Sequence, residues 1–137
     1  MMKVQRLNKE TKDPFALAHK YYQIISVLND LRLAEGQIQL IAFTAIRGNI
    51  SEAQNRKEYC RIYKTTPATI NNIVDKLKKI KVILKENKMI FVNPALTKVD
   101  FLEPLALIVS LTLVSEIGIE PTLVPPLEVG GKVRTKE

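Results

Sequence analysis

The stretch from Arg56 to Pro94, RKEYCRIYKTTPATINNIVDKLKKIKVILKENKMIFVNP, decides how the rest of the chain is read. Tyr59, Cys60 and Tyr63 recur at helical spacing and predict the end of one helix. Lys64-Thr65-Thr66 is a turn, and Thr66-Pro67 opens the next helix: a threonine oxygen caps free amides, and proline is pre-set for the first helical position. Ile70, Ile73, Val74, Leu77 and Ile80 then form one apolar stripe. Val82 to Lys85 and Met89 to Val92 are β-rich runs joined by Glu86-Asn87-Lys88, which predicts a hairpin that Asn93-Pro94 ends.

Charge concentrates in the same stretch. Residues 56–88 hold ten Lys/Arg against three acidic residues, Glu58, Asp75 and Glu86. That excess equals the whole net charge of +7. A localised positive face points to a polyanion, nucleic acid first; a merely solvated lysine face is the bland alternative. At 100° per residue, Ala68, Asn72, Asp75 and Lys79 lie opposite the apolar stripe. Thr69 and Lys76 flank them on one side, Asn71 and Lys78 on the other. Small, amide and cationic groups suit a groove of acceptors and phosphates.

Working outward, residues 1–12 are polar and read as a loose arm. Asp13-Pro14 starts a helix expected to reach about Arg32, its stripe being Phe15, Ala18, Tyr22, Ile25, Leu28 and Leu31. His19 beside it reads as a boundary residue. A second helix is expected over 37–47, with Ile38, Ile41, Ala42, Ala45 and Ile46 inward and Gly48-Asn49 ending it. Ser51 with Glu52 opens the third helix, through Tyr63, in which Cys60 reads as a small buried residue. Residues 13–100 thus form the expected main domain.

Beyond it, Glu103-Pro104 resembles a helix start, and Leu105 to Val114 is apolar apart from Ser110 and Thr112. A buried helix is expected from there, capped near Gly118, with a strand as the alternative, and 101–119 is expected to be an apolar oligomerisation segment. It is too short to span a membrane, which takes about 20 residues. Its natural use is self-association through 104–117. Residues 120–137 read as a Pro-rich extended tail.

Other chemistries find little support. One cysteine and one histidine leave no disulfide or Cys/His metal cluster, and no nucleophile–base pair or phosphate loop is visible. No cofactor, small-molecule substrate or enzymatic activity is expected. No leader pattern opens the chain, so a cytoplasmic location is expected, or a virion if the protein serves assembly.

The central stretch resembles the winged helix-turn-helix family of DNA-binding domains, a mainly α fold with a small β-hairpin wing. The likeness covers about Glu35 to Leu96. It rests on Cys60 as the small residue of the third helix, Thr66 as the cap, and the run Thr69-Ile70-Asn71-Asn72. Leu77 to Ile83 looks like the passage into a wing, and Ile90 to Pro94 is similar to the wing strand of phage and plasmid replication or regulatory proteins. Two positions depart from the pattern: Lys64 and Lys81 stand where the family usually has glycine, at sites that tend toward positive φ.

The resemblance implies roles for ten residues. Thr66, Thr69 and Asn71 would bond phosphates at the groove edge. Ala68 and Asn72 would face base edges. Lys64, Lys76 and Lys79 would neutralise phosphates, and Lys85 and Lys88 would sit on the wing. No Arg or Gln lies on the reading face, so affinity would come mostly from phosphates. The leading expectation is a non-enzymatic duplex-DNA-binding protein, a transcription regulator or replication accessory acting as a dimer. The alternative is a structural or assembly protein, such as a phage particle or packaging component, that uses the winged helix as an interaction module.

Overall fold

The computed structural model describes residues 3–114. The expected Gly118 cap and the tail 120–137 lie outside them. The described residues divide into two units: residues 11–97, and residues 3–10 together with 98–114.

The larger unit is mainly helical. In chain order it holds α1 (Pro14–Leu28), α2 (Glu35–Arg47), α3 (Ala53–Tyr63), α4 (Pro67–Lys79), β1 (Ile83–Glu86) and β2 (Met89–Val92). The two strands form an antiparallel sheet in which Ile83 faces Val92 and Glu86 faces Met89. Asn87 and Lys88 connect them with φ of 48° and 70°. Positive φ at both loop positions is the signature of a type I′ turn, whose twist matches that of the flanking strands.

α1 begins as its sequence requires: the Phe15 amide donates to Asp13 Oδ1, with Pro14 at the first helical position. It ends at Leu28, short of the expected Arg32. The Asn29 side-chain amide donates to the Ile25 carbonyl, Asp30 turns to φ 54°, and the Leu31 amide returns to the Ser26 carbonyl. Asn and Asp offer the backbone such local alternatives to continued helix. Leu31 is half-buried from a loop, so its place in the apolar period did not require helix there.

α2 starts two residues earlier than expected, at Glu35, because Gln37 Oε1 accepts from the Ala34 amide. Gly48 ends it at φ 92°. Ile38, Ile41 and Ala42 are buried as expected, while Ala45 and Ile46 are half-buried. Leu40, Phe43 and Thr44, outside the expected face, are buried as well, since α2 is enclosed on several sides. Phe43 is the aromatic hub: its ring lies 5.9 Å from Phe15, 5.2 Å from Tyr59 and 6.3 Å from Tyr63.

α3 opens differently from the Ser51 reading. Asn49 Oδ1 accepts from the Ser51 and Glu52 amides, and the buried Asn55 side chain donates to the Asn49 carbonyl and to its Oδ1. The loop is thus fastened by a satisfied polar cluster. Cys60 is half-buried rather than buried. In α4, Ile70, Val74 and Leu77 are buried and Ile73 half-buried. Ile80 leaves the expected stripe: the helix stops at Lys79, and Ile80 is 46% exposed.

The smaller unit overturns the expected buried helix. Residues 104–114 carry neither helix nor strand. Leu111 and Leu113 are 84% and 88% exposed, while Phe101 is buried. Ile108, Val109, Thr112 and Val114 are β-branched and weak helix formers. An apolar run without a polar face carries no period that would have told helix from extended chain. Among the described residues, no helix is long and apolar enough to cross a membrane.

Candidate nucleic-acid interface

The candidate surface is built by two turns that force the backbone left-handed. Lys64 ends α3 at φ 53°, and Lys81 follows α4 at φ 66°. Both are the positions where glycine would be the unstrained choice. The Thr65 amide returns to the Cys60 carbonyl across the first turn, and the Val82 amide to the Leu77 carbonyl across the second. Between them, the Thr66 hydroxyl oxygen accepts from the Thr69 amide and caps α4. The two threonine hydroxyls lie 3.2 Å apart. Thr66 is therefore already engaged in capping.

With Ile70, Val74 and Leu77 turned inward, α4 leaves Thr66, Ala68, Thr69, Asn71, Asn72, Lys76 and Lys79 exposed. Lys64 is exposed on the turn before the helix, and Lys85 and Lys88 are exposed on β1 and the hairpin turn. All ten expected residues are thus accessible to a ligand. Of the acidic residues of the stretch, Asp75 and Glu86 are exposed alongside the lysines, and Glu58 is half-buried. Glu58 is bound to Arg47 by two bonds, Nε to Oε1 at 3.0 Å and Nη2 to Oε2 at 2.8 Å. That hydrogen bonding, ahead of the opposing cost of burial, holds its carboxyl below the usual range. Asp75 lies 4.0 Å from Lys78 one turn on.

The hairpin is tied to the helices through Ile50 and Ser51. The Ile50 amide donates to the Ile90 carbonyl at 2.9 Å, and the Ile90 amide donates to Ser51 Oγ at 3.1 Å. The segment before α3 therefore lies along the outer edge of β2. Asn93 adds a link at the other end, its side-chain Nδ2 donating to the Lys81 carbonyl at 2.9 Å.

One residue in this arrangement had no sign in the helical pattern. Arg56 of α3 donates from Nε to the Ile50 carbonyl at 2.9 Å and from Nη1 to Asn71 Oδ1 at 2.8 Å. In the sequence it counts only as one of the ten cations of residues 56–88, because both partners come from elsewhere in the chain. His19, away from this surface, meets Glu35 at 2.6 Å. No group of three or more His, Cys, Asp or Glu is placed to hold a metal among the described residues.

The arrangement can do one kind of chemistry well. Ammonium groups, hydroxyls and amide N–H donors stand on one helix and a neighbouring hairpin, which suits an extended acceptor-rich polyanion. No family model, curated protein or solved structure matches the chain.

Proposed function

We propose that the chain is a non-enzymatic DNA-binding protein with a winged-helix domain, a transcription regulator or replication accessory. It grips duplex phosphates with α4 as recognition helix and the β1–β2 hairpin as wing. The observation that carries this reading is the exposed set Lys64, Lys76, Lys79, Lys85 and Lys88 on one helix, its leading turn and the hairpin. The left-handed turns at Lys64 and Lys81 and the Ile50–Ile90 bond support the winged-helix element of the reading. With Ala68 and Asn72 as the base-facing residues, readout is thin, and the target is duplex DNA of broad sequence. Self-association through 104–117 would place two such helices on one duplex.

The test is fluorescence anisotropy of the full chain with labelled duplexes of unrelated sequence. Binding of comparable strength across sequences, weakening steeply with salt, supports the reading. Absence of binding at low salt overturns it.

A second reading keeps a specific observation. Leu111 and Leu113 present bare apolar surface, which suits an assembly protein whose winged helix is an interaction module. Light scattering after size exclusion separates the two: a dimer that binds duplex fits the first, a large closed assembly without DNA binding fits the second.

A further inference from the structure

We infer that Arg56 is a positioning residue of the candidate DNA surface, holding Asn71 as a hydrogen-bond donor for a phosphate oxygen and tying α4 to the hairpin. The inference rests on the DNA-binding reading above. Arginine has donors only, so the Asn71 atom facing Nη1 at 2.8 Å must be the amide oxygen. This chemistry settles the amide orientation. With Nη1 bonded to Oδ1, the two N–H groups of Asn71 are directed away from Arg56 and remain for an outside acceptor. An anionic oxygen accepts from them.

The same guanidinium reaches the hairpin. Its Nε donates to the Ile50 carbonyl, and the Ile50 amide donates to the Ile90 carbonyl of β2. One path of hydrogen bonds therefore runs from Asn71 on α4 through Arg56 and Ile50 to the hairpin. A planar fork serves two acceptors in fixed directions at once; a lysine ammonium carries the charge without that geometry. Arg56 is half-buried, whereas the lysines assigned to phosphates are exposed.

The experiment uses the full chain as Arg56→Lys, Asn71→Ala and the double variant, with duplex affinity read across a salt series. Free protein is also observed by NMR at the Asn71 side-chain amide. Arg56→Lys should weaken binding about tenfold, the cost of one charge-assisted hydrogen bond. Its salt slope should stay unchanged, because the charge is kept. The double variant should bind no more weakly than Asn71→Ala. In free Arg56→Lys the Asn71 amide should shift and become more mobile, with the rest of the spectrum showing an intact fold. Losses that multiply in the double variant, or an Asn71 amide indifferent to Arg56→Lys, overturn the inference. Should Arg56→Lys not fold, Arg56→Gln takes its place: it keeps an N–H donor and loses the charge. A wild-type chain that binds no duplex overturns the DNA-binding reading and the phosphate role together. The amide response alone then decides whether Arg56 orients Asn71.

Discussion

Ile50 and Ile90 are forty residues apart in sequence, yet the amide of one donates to the carbonyl of the other at 2.9 Å. The bond brings the loop before α3 to the free edge of β2. Ser51 completes the junction by accepting from the Ile90 amide. A two-stranded hairpin alone is marginal in water, so this edge contact and the buried Val82, Ile83 and Ile90 hold it to the helices. Ser51→Ala should lower stability by about 1 kcal/mol, read from chemical denaturation. The Ile50 amide should exchange with solvent as slowly as those of the hairpin; fast exchange at Ile50 would mean that the edge is open.

The aromatic hub should be the costliest single site to empty. Phe43 is fully buried among Phe15, Tyr59 and Tyr63. Phe43→Ala should cost about 3–5 kcal/mol, enough to unfold a marginal domain. Phe43→Leu should fold with a reduced midpoint. A fully folded Phe43→Ala chain with wild-type stability would show that the hub is not where the core lies.

Lys81 offers the opposite kind of change. Its φ of 66° strains a non-glycine residue, so Lys81→Gly should leave stability unchanged or raise it by up to about 1 kcal/mol. Lys81→Val should lower it by about 1–2 kcal/mol, since a β-branched side chain tolerates that region worst. Thermal melts of the two variants check the order.

Local sequence reveals some of these features and not others. Thr66-Pro67 announced the start of α4, and Asn87 the hairpin turn, because capping and turn chemistry act over three or four residues. Glycine-like behaviour at Lys64 and Lys81 was likewise legible from their places between elements. Phe43 was not, because one amphipathic stripe cannot foretell a helix enclosed on several sides. Arg56 and Asn49 act through partners that only the folded chain brings near. The run 105–114 carries no helix where one is expected, because uniform hydrophobicity has no period to tell helix from extended chain.

Alkaline pH should weaken the fold through its buried phenols. Burial, more than the neighbouring Tyr63 and Cys60, pushes the Tyr59 hydroxyl up to about 12 from its ordinary 10.0. Burial also raises Tyr22, against the lowering effect of its hydrogen bond with Thr97, and it raises Tyr63. A raised folded value favours the neutral form in the native state. The stability is therefore whole below pH 10 and is lost as pH rises from there toward 12. The phenolate absorbance of Tyr22, Tyr59 and Tyr63 should appear late and together with unfolding, and Tyr59→Phe should flatten the decline. Ionisation of Tyr22, Tyr59 and Tyr63 near pH 10 in a chain that stays folded would contradict the burial.

The most direct measurement of the central claim is the salt dependence of duplex binding for the wild-type chain and for Lys76→Ala/Lys79→Ala. Both lysines are exposed on α4, so the double variant should fold normally. Its affinity should fall, and its slope of log affinity against log salt should shrink by about one to two units. A double variant that binds duplex with unchanged affinity and unchanged slope would contradict α4 as the DNA-gripping helix.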